Sequence, residues 1–287
     1  MRIKAPRADR LDKIRDIAII LHSNGGNMAK RELKRQIEKN VTPPQLNSWT
    51  MSNIKEYVAA LPFLKLAFSP RLGKIHLTDT GKVLATKGDL GVPKLNDDER
   101  EILRNVILQN SRFQIFLTLF TGGRIPRDRT EFVAFGKTIK LRYSDLKTPL
   151  DSREVQGIFK NWALNTEIIE WNSTIDEYFP VLEKERPLEL MYESLVEAYR
   201  KVEDKAIERA EIYKIKDIIC QKYSMPSRQF YESLLEINKR YSDKVRLEVV
   251  PITMLPIQKF KIESAERFGI VTSKGIYYYL KILNIGG

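Results

Sequence analysis

The stretch Tyr223-Ser224-Met225-Pro226-Ser227-Arg228-Gln229-Phe230 places a short turn between two segments whose apolar residues recur at helical spacing. The first segment runs from Ile212 to Tyr223, and because proline favours the first turn of a helix, a second helix is predicted to start at Pro226. Two helices joined in this way predict a helix-turn-helix. Its second helix would present Ser227, Arg228 and Gln229 at its start, where Arg matches guanine and Gln matches adenine, although the same residues also suit a capped surface helix.

The residues around this turn predict a complete winged helix over 187–287. Upstream, a long helix is predicted from Leu188 to Ala210. Downstream, Val245–Val250 alternates as a strand, and residues 268–283 supply further strand around the turn Ser273-Lys274-Gly275. Helices followed by strands that are joined at a turn are the order expected of a winged helix.

The N-terminal third, residues 1–95, carries a similar order of signals. A first helix is predicted from Asp9, acting as its cap, to about Leu21, and a second from about Ala29 to Lys39. The second helix directs Leu33 and Ile37 inward. Its outer face is unusually basic and carries Lys30, Arg31, Lys34 and Arg35.

A third helix is predicted from Gln45 to Leu61, after Thr42-Pro43-Pro44 interrupts the chain. Its outward polar residues are candidates for contacts to base edges, because a helix fits a major groove about 12 Å wide. These residues are Asn47, Ser48, Ser52, Asn53 and Lys55. An alternating segment from Phe63 to Phe68 and a strand at 75–78 then predict a hairpin whose tip carries Arg71 and Lys74 for phosphate contacts.

The first ten residues carry Arg2, Lys4, Arg7 and Arg10 around Pro6. This composition predicts an extended arm rather than a helix, and such an arm is expected to need an anionic surface to order it. The arm could enter a minor groove or add a further groove contact to DNA. A disordered tail is the alternative.

Residues 96–186 predict a helical linker subdomain or a degenerate winged helix. Asp97-Asp98-Glu99 suits a helix N-terminus, a mostly apolar helix follows over 113–120, and Asp151 begins another helix. Residues 168–179 predict a hairpin. The predicted fold class is therefore mainly α with small β-hairpins, an α+β protein with tandem winged-helix subdomains joined by a linker subdomain.

The charge of the chain is strongly asymmetric. Its 49 Lys and Arg against 37 Asp and Glu give a formal net charge of +12. Residues 1–95 hold 18 basic and 8 acidic residues, residues 96–186 hold 14 and 15, and residues 187–287 hold 17 and 14. Because repulsion between like charges opposes folding, the concentration of positive charge in residues 1–95 indicates a polyanionic partner that binds mainly to this third of the chain. The alternative is a basic face that is only solvated.

Catalytic chemistry has few candidate residues. The single cysteine, Cys220, excludes a disulfide framework and a thiolate metal site, and two histidines leave little for imidazole chemistry. The nuclease pattern of Asp followed by Asp/Glu-x-Lys occurs at Asp128 with residues 145–147, and at Asp176 with residues 203–205, the latter inside a predicted helix. With 30% charged residues such matches arise by chance, so no catalytic residue, metal ligand or cofactor is predicted for this chain.

The N-terminus lacks the apolar core of a signal peptide, and no apolar run approaches the roughly 20 residues that span a bilayer. The sequence therefore predicts a cytoplasmic protein with no membrane partner.

Three stretches together resemble the DNA-recognition domains of FokI-like type IIS restriction endonucleases. They are Leu46-Asn47-Ser48-Trp49-Thr50, Phe63-Leu64-Lys65-Leu66 and Ile75-His76-Leu77-Thr78-Asp79-Thr80-Gly81-Lys82, and residues 98–103 and 111–120 look like the helix pair that opens the next subdomain. The resemblance covers roughly the first half of the chain. It implies a recognition module joined to a separate cleavage domain, which would bind a divalent metal such as Mg²⁺. It also assigns base reading to the arm and to the helices near Asn47 and Pro226.

The function predicted from the sequence is sequence-specific binding of double-stranded DNA at a short asymmetric site, by a monomer without chemistry of its own. Unlike units on one chain can read a non-palindromic site, whereas identical helices of a dimer read palindromes. The module would be the recognition half of a type IIS restriction endonuclease. The alternatives are a stand-alone winged-helix transcription regulator or replication initiator, a nuclease with an unrecognised site, and a winged-helix subunit that contacts protein.

Overall fold

The structure is a computed structural model that describes residues 5–40, 51–68, 74–119, 150–182, 184–205, 207–251 and 268–283, with residues 130, 131, 133–135 and 137. It is mainly helical with small antiparallel sheets, so the predicted α+β class is confirmed at that level. The chain divides into two compact units, Met1–Ile168 and Ile169–Gly287, here called unit 1 and unit 2. The finer division at 95/96 and 186/187 stays a prediction.

The first half of unit 1 alternates helices with very short strands. A three-stranded antiparallel sheet has the order β1-β3-β2. The elements are α1 (Leu11–Ser23), β1 (Asn27–Ala29), α2 (Lys30–Asn40), α3 (Met51–Phe63), β2 (Ala67–Phe68), β3 (Lys74–Leu77) and α4 (Asp79–Lys87).

Helix α1 exists because its apolar stripe is buried and because glycines end it. The predicted inward residues of this helix, from Leu11 to Leu21, are buried, and Gly25 and Gly26 adopt φ of 81° and 74°, which favour glycine. The predicted cap was wrong. Arg10 stands at the N-cap without a side-chain hydrogen bond, because the carboxylate of Asp9 instead accepts a hydrogen bond from the Tyr57 hydroxyl at 3.0 Å.

Three further corrections concern the predicted hairpin and the helices beside it. The helix α3 continues to Phe63, so only Ala67–Phe68 of the alternating segment pairs as a strand. The strand β1, which pairs with β3, was not predicted. Thr78 does not extend the last strand but accepts a hydrogen bond from the amide of Gly81 and so caps α4, a helix that was not predicted.

The second half of unit 1 is helical around an aromatic core. It comprises α5 (Asp97–Leu108), α6 (Ser111–Leu119), a π-helical segment (Glu154–Phe159) and α7 (Lys160–Asn165). The rings of Phe113, Phe116, Phe159 and Trp162 are buried, with successive ring centroids 5.5 to 5.8 Å apart. The acidic start predicted for α5 is confirmed, and Asn96 caps it in a capping box with Glu99.

A buried ion cluster ties the two halves of unit 1 together. The guanidinium of Arg15, on α1, is fully buried and pairs with Asp16 at 2.8 Å and with Glu99 at 3.1 Å. It also donates to the backbone carbonyls of Val92 and Lys94. Glu99 is itself fully buried and accepts the amides of Asp89 and Asn96. Since a buried charge is stable only when paired and hydrogen-bonded, the cluster fixes α1, the 88–96 connection and α5 as one body.

Unit 2 begins with the predicted hairpin and continues with helices and a four-stranded antiparallel sheet. The sheet runs β6-β9-β7, and β8 also pairs with β9. The elements are β4 (Ile169–Asn172), β5 (Glu177–Pro180), α8 (Leu188–Val202), β6 (Ala210–Glu211), α9 (Ile212–Tyr223), α10 (Ser227–Arg240), β7 (Val245–Val250), β8 (Ile270–Thr272) and β9 (Gly275–Ile282).

The two helices predicted on either side of this turn are confirmed as α9 and α10. Ser224 adopts the left-handed conformation with φ of 51°, and Pro226 stands at the N-cap of α10. The long helix predicted to Ala210 was wrong beyond Val202. There the chain turns back, with a bridge between Asp204 and Arg209, and the two-residue strand β6 pairs with β9.

The two units share one order of elements. In unit 1 the described elements run α1, β1, α2, α3, β2, β3, with sheet order β1-β3-β2. In unit 2 they run α8, β6, α9, α10, β7, β9 apart from the added β8, with sheet order β6-β9-β7. In both, the last strand lies between the first two and the helix pair precedes the hairpin, although the sequence contains no internal repeat.

Candidate nucleic-acid interface

The outer face of α2 carries two of the basic residues predicted for it. Leu33 and Ile37 are fully buried, whereas Arg31 and Arg35 are exposed. The side chain of Arg35 is 81% exposed and lies 3.6 Å from Glu32, a loose surface pair that leaves its charge available. Lys30 and Lys34 lie within the same helix, and their side chains are outside the described part.

The helix α3 directs Ile54, Val58 and Leu61 into the core, and Lys55 is exposed on the opposite side. The backbones of Ser52 and Asn53 are helical, and their side chains are outside the described part. The predicted contacts Asn47 and Ser48, and with them the start of this helix from Gln45, lie outside the described residues.

The hairpin of unit 1 carries one feature that the sequence did not indicate. Phe68, on β2, is 54% exposed and its ring stacks on the imidazole of His76, on β3, with centroids 5.2 Å apart. Lys74 is exposed at the start of β3, as expected of a residue near the hairpin tip. Arg71 lies outside the described residues. One face of this hairpin therefore combines an aromatic stack with an exposed lysine.

The N-terminal arm differs from its prediction over residues 5–10. The prediction that these residues are not helical is confirmed. They are ordered by the protein itself and not by an anionic surface, because Ala5 and Ala8 are buried. Arg7 is exposed. Arg10 pairs with Asp12 at 2.6 Å, and this hydrogen bond raises the pKa of the guanidinium. Arg2 and Lys4 lie outside the described residues.

In unit 2, all three residues predicted to read bases have partners within the unit. The amide of Ser227 donates to the Glu170 carboxylate at 3.0 Å, so an acidic side chain meets the positive end of the α10 dipole. The side chain of Gln229 donates to the carbonyl of Lys184 at 3.0 Å. Arg228 is exposed and pairs with Glu232 at 3.2 Å, four residues along the helix.

The division into units sharpens the charge asymmetry. Unit 1 contains 30 Lys and Arg against 18 Asp and Glu, a net charge of +12. Unit 2 contains 19 against 19, a net charge of zero. The whole formal charge of the chain therefore belongs to the unit that carries α2, α3 and the arm.

The two nuclease-like matches gain no support from the geometry. Asp128 and residues 145–147 are outside the described part. Glu203 and Asp204 follow α8 rather than lying inside it, so the predicted helix there was wrong. Among the residues that the structure describes, no three His, Cys, Asp or Glu side chains come together as metal ligands. Within the same ranges, no helix is both long and apolar enough to cross a membrane.

No family model, no curated protein and no solved structure matches this chain.

Proposed function

We propose that this chain is a sequence-specific double-stranded DNA-binding module in which each unit contains a winged helix. The order of helix, strand, helix, helix and hairpin, with the last strand central in the sheet, is the order of that fold and occurs in both units. In this reading α3 and α10 are the helices that enter the major groove, and α2 and α9 are the helices that cross the backbone.

The observation that carries the proposal is the concentration of the net charge of +12 in unit 1. Phosphate contacts supply much of the affinity of a DNA-binding protein through the release of counterions. The exposed Arg31 and Arg35 lie on α2, the helix that would face the backbone, where such contacts are needed. The exposure of these two arginines on α2 supports the proposal.

Unit 2 would contribute contacts to base edges more than electrostatic attraction to the phosphates. The pair between Arg228 and Glu232 is an exposed pair at four-residue spacing, worth about 0.3–0.5 kcal/mol. A bidentate contact between arginine and guanine gives about 1–3 kcal/mol of discrimination, so the pair can be exchanged for a base contact. Glu170 and Lys184 hold the first turn of α10 while Arg228 changes partner.

Two unlike units on one chain suit a short asymmetric site bound by a monomer. We place the module in the recognition half of a type IIS restriction endonuclease, on the resemblance of the first half of the chain to that family. Cleavage and its divalent metal, such as Mg²⁺, would belong to a separate nuclease domain, and this chain would need no cofactor.

The test is selection of bound duplexes from a random pool, followed by affinity measurements at several salt concentrations. We expect one non-palindromic sequence to be enriched. The alanine variants Arg31→Ala and Arg35→Ala should each lower the slope of log affinity against log salt by about 0.9, the value for one phosphate contact. The matched control is Arg200→Ala, which removes an exposed arginine from α8 of the neutral unit.

Three outcomes oppose the proposal. Equal affinity for all duplexes removes sequence recognition, and an equal loss for Arg200→Ala removes the assignment of phosphate contacts to α2. Enrichment of a palindrome by a dimer favours the transcription regulator or replication initiator instead.

A further inference from the structure

Residues 5–10, here called the arm base, are fixed to unit 1 at three points of their own backbone. The amide of Ala5 donates to Glu154 Oε1 at 2.8 Å, and the indole N–H of Trp162 donates to the carbonyl of Ala8 at 2.7 Å. The amide of Arg7 donates to Glu56 Oε2 at 2.6 Å. Hydrogen bonds between three backbone groups and three separate partners fix the backbone position of the arm base in unit 1.

These partners lie on two different parts of unit 1. Glu56 belongs to α3, as does Tyr57, whose hydroxyl donates to Asp9. Glu154 and Trp162 belong to the π-helical segment and to α7. The arm base therefore bridges α3, the helix proposed to read bases, and the helical segment at 154–165.

The partners on the helical segment belong to a built arrangement. Glu154 and Trp162 are both fully buried. The carboxylate of Glu154 also pairs with Arg112 at 2.6 Å and accepts the amide of Asp151 at 2.9 Å. A buried polar group that loses its partner destabilises the fold, so these contacts persist in the folded protein. They fix the position of Ala5, which Arg2 precedes by three residues in the sequence.

We infer that Glu154 and Trp162 are positioning residues for the basic arm in DNA binding. They fix the arm base beside α3, so that its exposed Arg7 meets the same duplex as that helix, and Arg2 and Lys4 precede this fixed segment in the sequence. Ordering the arm base during folding removes part of the conformational cost from the binding step. This inference rests on the proposed function, and it adds the residues that connect the arm to the reading helix.

The first experiment compares Trp162→Phe with the wild-type chain, alone and combined with Arg2→Ala and Lys4→Ala. Phenylalanine keeps an aromatic ring against Phe63 and Phe159 but removes the N–H that holds Ala8. The matched control is Trp171→Phe in unit 2, which removes an indole N–H bonded to Asp176 at 3.1 Å.

The readouts are the affinity for the selected duplex and its salt dependence. We expect Arg2→Ala with Lys4→Ala to lower the salt slope by about 1.8, which corresponds to roughly tenfold in affinity over a fourfold range of salt. Trp162→Phe should lower both affinity and slope in the full chain, and should change neither by more than about twofold when Arg2 and Lys4 are already alanine. Trp171→Phe should leave the salt slope unchanged.

A second variant avoids the core. Glu56→Ala removes the acceptor of the Arg7 amide from partly exposed α3, and its matched control is Glu101→Ala, which removes an exposed acid from α5. Loss of a negative charge alone raises DNA affinity, so both variants share that effect. We expect the affinity of Glu56→Ala to fall below that of Glu101→Ala.

The inference is overturned if Trp162→Phe costs the same affinity with and without Arg2 and Lys4, because the loss is then a general defect of folding. It is also overturned if Arg2→Ala with Lys4→Ala has no effect on a chain that still selects one duplex, and in that case the proposed function stands. If the wild-type chain selects no duplex, the proposed function fails, and the inference fails with it.

Discussion

Replacing Arg15 by methionine tests the buried cluster that joins the two halves of unit 1. The substitution keeps a long apolar side chain but removes a fully buried guanidinium. Asp16 and Glu99 would then lose their common cation at 2.8 and 3.1 Å. The carbonyls of Val92 and Lys94 would lose a donor as well. The 88–96 connection and α5 would therefore lose their fixed attachment to α1.

The magnitude follows from the burial of the groups. Breaking a buried ion pair by removing one partner costs about 3–5 kcal/mol, because the remaining charge has no compensation. For a domain of this size each kcal/mol lowers Tm by about 2–4 °C, so the expected loss is roughly 6–20 °C. The matched control is Lys82→Met, which removes an exposed pair with Asp79 at 2.9 Å. That pair is worth at most about 1 kcal/mol.

The pH dependence of the loss separates electrostatics from packing. Burial raises the pKa of Asp16, and the Arg15 guanidinium partly opposes this rise. A carboxyl with a raised pKa in the folded state favours folding at low pH, and this contribution is lost as the pH rises through the folded pKa. Without Arg15 the pKa of Asp16 rises further, so the stability gap between variant and wild type should widen from pH 4 to pH 7.

The assay is urea unfolding of both variants and the wild type, followed by circular dichroism at pH 4, 5, 6 and 7. A cost below about 1 kcal/mol for Arg15→Met at pH 7 would refute the reasoning from burial. If the loss of unfolding free energy is the same at every pH, lost packing causes it. The loss of the cation shared by the carboxylates of Asp16 and Glu99 then does not.

Two further variants test a close contact and a surface titration. Gly81→Ala should lower Tm and destabilise unit 1 by about 1–3 kcal/mol, because a Cβ there would clash with the backbone carbonyl oxygen of Leu66. The control is Gly157→Ala, whose Cβ has no neighbour closer than 3.9 Å, and equal losses in the two variants contradict the argument. Hydrogen bonds from Lys201 and Lys222 lower the pKa of Glu197 to about 2, so its contribution to stability is present above pH 4.5 and lost as the pH falls toward 2. A carboxyl NMR titration should show this midpoint, and Lys201→Ala should raise it; an unchanged midpoint would mean that the ion pair does not form in solution.

The elements that the sequence predicted well are those whose pattern is local. The helix pair around Ser224, the strand Val245–Val250 and the hairpin β4–β5 were placed within a few residues. Each has a turn residue or an alternation that needs no distant partner. The basic outer face of α2 was predicted for the same reason, since Leu33 and Ile37 alone determine which side of the helix is buried.

The errors occur where a distant strand decides the local structure. The strands β1 and β6 have three and two residues, too few for an alternating pattern, and they exist because β3 and β9 lie beside them. The predicted helix to Ala210 instead ends at Val202, since Asp204 and Arg209 form a bridge and Ala210 pairs with β9. Propensity is a weak guide where tertiary pairing supplies the hydrogen bonds.

The candidate interface shows the same limit for side chains. Ser227 and Gln229 were predicted from their place at the start of α10, and the helix does start there. Their partners Glu170 and Lys184 lie 57 and 45 residues away along the chain, so no local pattern could indicate them. The arm was predicted to need an anionic surface to order it, because its basic residues are evident in the sequence. The burial of Ala5 and Ala8 has no such signal in the sequence.

Two capping boxes show how one residue can serve local and tertiary structure together. Glu99 and Glu154 each follow a capping residue by three positions, Asn96 and Asp151, and each exchanges hydrogen bonds with it in the usual way. At an exposed helix start the remaining oxygen sites of such a glutamate face water. Here both glutamates are fully buried, and the spare sites accept arginine side chains and backbone amides from remote parts of unit 1. The sequence pattern indicates where these helices begin. Because both glutamates are buried, each also binds a distant part of unit 1, Glu99 binding α1 and Glu154 binding the arm base.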